Sequence, residues 1–137
     1  MAGLGNVQVG DRLPTYTFTV GRLDLVRYCG ASGDFNDIHG SDRAAARAGL
    51  PDVISHGMLT MAKSVNGVVE WAGDPAAVVE YGVRFVRPVV VPVDGSDTVT
   101  VDGEVTERID ERTVRVALDV RCGDEVVLGM AEAVVSR

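Results

Sequence analysis

Residues 57–85 read GMLTMAKSVNGVVEWAGDPAAVVEYGVRF. In the first half Met58, Leu59, Met61, Ala62, Val65, Val68, Val69 and Trp71 cover most of a helical circumference, and Lys63 and Glu70 are the only charges up to Gly73-Asp74-Pro75. That pattern predicts one long buried helix opening at Gly57 and stopped by the Gly-Asp-Pro run. From Val78 the period becomes two, with Val79, Tyr81, Val83 and Phe85 facing one way before Pro88, which predicts a strand. The change of period within a few residues places a buried helix directly ahead of a sheet.

Downstream the alternation continues through Val99, Val101 and Val105, then Val114, Val116, Leu118 and Val120, then Val126, Leu128 and Met130. Asp110-Glu111 and Gly123-Asp124 stand where hairpin turns are required. Upstream, Tyr16, Phe18 and Val20 alternate with Thr15, Thr17 and Thr19 in a short strand, and Leu23, Val26 and Cys29 recur at helical spacing until Ser32-Gly33-Asp34. Ser41 can cap a helix through the alanines of 42–48, with Gly49 and Pro51 beyond its end. Strand, helices, then an antiparallel meander describe an α+β domain whose sheet wraps one long central helix. With 137 residues the chain suits a single domain, 1–137, and shows no repeat or low-complexity segment.

The hydrophobic fraction of 46% is spread along the whole length, which argues against disorder. A net charge of -7, with no free-standing basic cluster, argues against nucleic-acid binding. Any contact with phosphates needs a local patch, for which Arg43 with Arg47 and Arg84 with Arg87 are the candidates. Cys29 and Cys122 lie far apart without metal-ligand spacing, so two small buried thiols are expected, with neither a disulfide nor a metal site. No stretch reaches the length of about 18 apolar residues that spans a bilayer, and no basic segment leads into an apolar run at the N-terminus; the expected compartment is the cytoplasm.

The densest polar group is Ser32-Gly33-Asp34-Phe35-Asn36-Asp37-Ile38-His39. Gly33 and Asn36 favour irregular backbone, so a loop here can turn the Asp34 carboxylate and the His39 imidazole toward one point. Histidine gives and takes protons near neutral pH, and a neighbouring carboxylate can orient it or share a water with it. Asn36 reads as a turn residue and His56 as a structural histidine at the helix entrance. Gly57 adds a separate element: backbone N–H groups in the first turn of a helix have no intrahelical partner and sit at its positive end. A glycine there lets a carbonyl approach, and an enolate oxygen at that N–H would be stabilised where its charge develops.

Tyr28-Cys29-Gly30-Ala31-Ser32-Gly33-Asp34-Phe35-Asn36-Asp37-Ile38-His39 closely resembles the SGDxNPxH motif of the MaoC-like (R)-specific enoyl thioester hydratases. Ser55-His56-Gly57-Met58-Leu59 looks like that family's HGM segment, and Tyr81-Gly82-Val83-Arg84-Phe85-Val86-Arg87-Pro88-Val89 like its RFxxPV strand. Within the family the chain is most similar to the short dehydratase B subunits of actinobacterial type II fatty-acid synthesis. The resemblance implies a hot-dog fold and reversible hydration of trans-2-enoyl thioesters, with dehydration of (3R)-hydroxyacyl thioesters as the reverse. It gives Asp34 and His39 the role of the catalytic pair that holds a water, Gly57 that of the thioester-binding amide, and Asn36 that of a substrate-site residue that fixes the loop. It implies no metal or redox cofactor, the substrate being carried on coenzyme A or acyl carrier protein. Asp37 departs from the pattern, standing where the family usually has proline; its carboxylate is expected to loosen the loop or perturb its neighbours.

Two other functions compete. A hot-dog thioesterase would usually present a carboxylate from the central helix, where only Glu70 is available. A non-catalytic acyl-binding subunit would be expected to lack Asp34 and His39. A sheet wrapped on one helix leaves an unpaired edge, and a long acyl chain needs a second wall. A homodimer, or a heterodimer with a sister hot-dog subunit, is therefore expected.

Overall fold

The computed structural model describes residues 4–137; the first three residues of the expected 1–137 domain, and of the N-terminal reading, lie outside the described residues. The chain runs β1 (Tyr16–Gly21), α1 (Arg22–Ser32), a 3-10 turn (Asp37–His39), α2 (Asp42–Arg47), α3 (Gly57–Ser64), α4 (Asn66–Ala72), β2 (Val78–Phe85), β3 (Ser96–Arg108), β4 (Thr113–Cys122) and β5 (Glu125–Ser136). The five strands form one antiparallel sheet in the order β1-β3-β4-β5-β2. This is the expected α+β hot-dog architecture. Among the described residues no helix is long and apolar enough to cross a membrane.

The alternating valines explain the sheet. Val99, Val101 and Val105 on β3 and Val114, Val116 and Val120 on β4 all point inward and are buried, as are Phe18 and Val20 on β1. Gly123, at φ 60°, supplies the left-handed residue that the tight β4–β5 turn requires. The expected alternation fails in β5. Val127 and Leu128 are both buried, while Met130 is 72% exposed at φ 46°. Register breaks against β4 between Leu118 and Arg121 shift the strand's faces, as bulges do.

The central helix is not one piece and is not buried all round. It divides at Val65, next to a serine whose hydroxyl donates to the Thr60 carbonyl at 2.7 Å, a back-bond that tends to bend helices. Leu59, Thr60, Ser64, Gly67, Val68 and Ala72 form its buried face, while Met58, Ala62 and Glu70 are exposed. Gly67 is required by packing, since a Cβ there would lie 2.7 Å from Tyr16 Cβ on β1. The Tyr81 hydroxyl donates to the Met61 carbonyl at 2.8 Å and ties α3 to β2; burial raises its pKa to about 12, so it remains a donor.

The expected face of α1 is also corrected. Leu25 is its fully buried residue, whereas Leu23 and Val26 are exposed. The helix packs through the face of Leu25 and the half-buried Tyr28 and Cys29, turned away from the spacing of Leu23 and Val26. Both cysteines are free and half-buried rather than buried. Burial, and then the Asp97 carboxylate, push the Cys122 thiol up to about 12, so it stays protonated.

Three stretches converge where the central helix begins. Ser55 N–H donates to Val89 O and Val91 N–H to Val53 O, both at 2.8 Å, so residues 53–55 lie along 89–91 like a short strand pair. Ile54 N–H donates to Ile38 O at 3.2 Å, which brings in the polar loop. Arg22 clamps the assembly from α1, donating to Val91 O at 3.1 Å, Asp42 at 2.9 Å and Asp52 at 2.6 Å. That bond holds the Asp42 carboxyl below its ordinary pKa.

Candidate active site

The polar loop is built from local side-chain bonds. Gly33 ends α1 in the left-handed conformation at φ 75°, with its N–H on Cys29 O. The Ser32 hydroxyl accepts from Asp34 N–H at 3.1 Å, Asp34 Oδ1 from Asn36 N–H at 3.2 Å, and Asn36 Oδ1 from Ile38 N–H at 3.2 Å. Asn36 therefore caps the 3-10 turn that carries His39, which is the loop-fixing role the resemblance implies. Its backbone sits at φ -57°, ψ 128°, the extended region that a following proline would impose. With Asp37 next in the chain, the bond from Ile38 N–H to Asn36 Oδ1 accompanies that conformation in place of a proline ring.

His39 is not an exposed loop residue: it is 8% exposed, and its Nδ1 lies 2.7 Å from Ile54 O. A carbonyl can only accept, so Nδ1 carries the proton and donates. Nε2 is left with a lone pair, the form a general base needs. The Asp34 carboxylate is exposed, and one of its oxygens lies within 4.8 Å of ring nitrogens of both His39 and His56. The two predicted acid-base residues are thus brought together.

Gly57 is the first residue of α3, and its N-cap His56 makes no side-chain capping bond. The first intrahelical donor is Leu59 N–H, to His56 O, so the amides of Gly57 and Met58 precede the ladder. Gly57 and His39 share a cavity of about 260 Å³ with Thr60, Phe85, Val89 and Leu128. Its lining mixes apolar side chains with Ser55, Thr60 and Arg87. Glu70 lies in a different cavity, beside Tyr16 and Trp71. Of the expected basic patches, Arg87 lines the His39 cavity and pairs with Glu125 at 2.8 Å, while Arg84 is exposed on β2; Arg43 and Arg47 stand exposed on α2.

The sequence reading undervalued His56. It is 2% exposed, and its ring stacks on that of His39 with centroids 3.8 Å apart and planes 22° from parallel. Its Nε2 lies 3.1 Å from the Asp34 carbonyl oxygen. Burial first, and the neighbouring His39 among lesser causes, hold its pKa below 6.5. Asp34, His39 and His56 together have the residue types of a metal site. The two imidazole rings lie in neighbouring planes 22° from parallel. Arg22 was also missed, since nothing in its sequence neighbourhood marks partners 20, 30 and 69 positions away.

An antiparallel sheet around a short central helix, with Asp34 close to His39 and His39 sharing a cavity with the helix's first residue, defines a hot-dog domain with a candidate site at that helix's start. The chain belongs to the MaoC-like family: the description "MaoC like domain" matches residues 6–127. It is 41% identical over 79 residues to 3-hydroxyacyl-thioester dehydratase X of Mycobacterium tuberculosis, covering 58% of this chain and 27% of that protein. To 3-hydroxybutyryl-CoA dehydratase of Methylorubrum extorquens it is 36% identical over 108 residues, covering 77% of this chain and 66% of the other. Among solved structures, a MaoC-like dehydratase superposes with a TM-score of 0.93 at 37% identity over 98% of this chain and 42% of that one. The ChsH1-ChsH2 complex of Mycobacterium tuberculosis superposes with a TM-score of 0.81 at 25% identity, over 95% of this chain and 98% of the other. The chain thus spans less than two thirds of the length of both dehydratase relatives.

Proposed function

We propose that this chain is a hydro-lyase that reversibly adds water to trans-2-enoyl thioesters, forming (3R)-hydroxyacyl thioesters in fatty-acid or related acyl metabolism. One observation carries the reading: His39, whose Nδ1 is bonded to Ile54 O, has a ring nitrogen within 4.8 Å of an Asp34 carboxylate oxygen and lines the same cavity as Gly57. The names of the two dehydratase relatives support the same reaction class.

In the hydration direction a water held between Asp34 and His39 loses a proton to the pair as its oxygen forms the C–O bond at Cβ. The π electrons move toward the thioester oxygen, and the enolate charge meets the Gly57 N–H at the positive end of α3. A proton then forms the Cα–H bond as the enolate collapses. No electrons are gained or lost overall, so the reaction requires no redox cofactor, and the pair moves the protons without a metal. The acyl group would be carried on coenzyme A or acyl carrier protein in the cytoplasm.

The active form would be a dimer of hot-dog subunits. β2 is an edge strand, and Val79, Phe85 and Val86 on or beside it are exposed, as is Met130. Phe85 also lines the His39 cavity, so a second subunit on this edge would close the open wall. A solved two-subunit relative of nearly the same chain length favours a sister subunit as that partner.

The test is to add the purified chain to crotonyl-CoA and follow enoyl absorbance together with free thiol. Loss of enoyl absorbance without thiol release is expected. Thiol release at the same rate would replace the reading with thioester hydrolysis, and no change in either would remove it.

A further inference from the structure

We infer that His56 is a positioning residue for the Asp34–His39 pair, holding Asp34 through its backbone carbonyl and His39 through ring stacking. The inference rests on the hydratase reading above.

Its geometry begins with the hydrogen bond to Asp34. The Asp34 carbonyl can only accept, so His56 Nε2 bears the proton and donates across 3.1 Å. Nδ1 then holds a lone pair, and it is a buried side-chain atom with no hydrogen-bond partner. A buried acceptor left unpaired destabilises a fold. If His56 only filled space, an apolar ring would do so without that penalty. What an apolar ring could not supply is the Nε2–H donor, and that donor is directed at the loop residue whose carboxylate faces His39.

The second contact acts on His39 itself. With centroids 3.8 Å apart, the His56 ring limits how far the His39 ring can tilt toward it. His56 is held in turn by the Tyr28 ring, edge-on at 4.6 Å, and by Cys29 Sγ at 3.6 Å from Nε2. The four groups that face it are therefore Asp34, His39, Tyr28 and Cys29. The two histidines carry their protons on opposite nitrogens, Nδ1 in His39 and Nε2 in His56. Because His56 stays neutral, a proton taken up by His39 during the reaction meets an uncharged ring at stacking distance, not a second cation.

The test uses two variants and one measurement on the unaltered chain. His56→Phe keeps an aromatic ring against His39 but has no donor, whereas His56→Gln keeps an N–H at a similar reach. With crotonyl-CoA, His56→Phe is expected to lower kcat by about tenfold or more with KM within about threefold, the pattern of an interaction made in the transition state. His56→Gln, which keeps the donor but loses the stacked ring, is expected to recover part of that loss. Wild-type kcat in the Phe variant, or equal loss in both variants, would overturn the inference. The chain has only two histidines, so 15N-detected imidazole spectra assign both tautomers directly and decide the matter even if the Phe variant fails to fold. An Nε2–H tautomer at His56 is expected; an Nδ1–H tautomer there would overturn the proposal. Inactivity of the wild-type chain would remove the hydratase reading itself, an outcome distinct from activity that survives in His56→Phe.

Discussion

His39, Gly57 and His56 show how neighbouring residues acquire different tasks from their contacts. His39 has Nε2 free of the main chain because its Nδ1–H donates to the Ile54 carbonyl. Gly57 keeps an open amide because it has no side chain: a Cβ there would lie 3.0 Å from the Phe85 ring. Phe85 is 57% exposed and can move, so Gly57→Val should fold with a melting temperature close to wild type. It should nonetheless lose about a hundredfold in kcat/KM, because the new side chain stands in the path of the thioester oxygen. Full activity in a folded Gly57→Val protein would place the oxyanion contact elsewhere. His56 also sets a pH dependence of stability. Its folded pKa lies below the unfolded value of 6.5, so its contribution is complete above that pH and declines as acid protonates the unfolded chain preferentially. The melting temperature should fall between about pH 7 and about pH 5 in wild type and less so in His56→Gln. Equal slopes would show that His56 titrates normally in the folded chain. The depressed carboxyls of Asp42 and Asp110 act only at lower pH, below their ordinary 3.8.

At the scale of elements, α3 matters as the base of the site, and β2 holds it there. Tyr81→Phe removes the hydroxyl that donates to Met61 O and should cost about 1 kcal/mol in urea unfolding, with little change in the unfolding slope. A variant as stable as wild type would show that the bond to the helix does not contribute. The strands were legible in the sequence because buried apolar residues, mostly valine, recur at every second position through the middle of β3 and β4, and period two admits one reading. The central helix was legible as a helix but not as two. Its break at Val65 comes from the hydroxyl bond of Ser64, which periodicity does not register. The shift in β5 escaped for a related reason, since a bulge against β4 leaves no mark on composition. In the site, Asp34, Asn36, His39 and Gly57 were visible because motif spacing places them on one loop and one helix start. His56 and Arg22 were not, because their contacts join residues far apart in the sequence, and a tautomer is fixed only once the acceptor is known.

The sheet ends in two edge strands: β1, which also contacts α3 and α4, and β2, which carries exposed apolar side chains. Val79, Phe85 and Met130, at 56%, 57% and 72% exposure, leave apolar side chains uncovered on the β2 side, where a second subunit could bury them. Sedimentation of the purified chain should show a dimer, with activity following the dimer fraction on dilution. A fully active monomer would contradict this account of the open wall, and a fully active homodimer would remove only the sister subunit from it.

The central claim is that Asp34 and His39 together move the protons of water addition. Steady-state hydration of crotonyl-CoA by Asp34→Asn and His39→Ala tests it most directly. Asp34 is exposed, so Asp34→Asn should fold as wild type, while His39→Ala should retain the fold with some loss of stability from the buried ring. Each variant should lose about a hundredfold or more in kcat/KM, the scale of removing one proton-transfer group. A value within about threefold of wild type for either folded variant would contradict the mechanism.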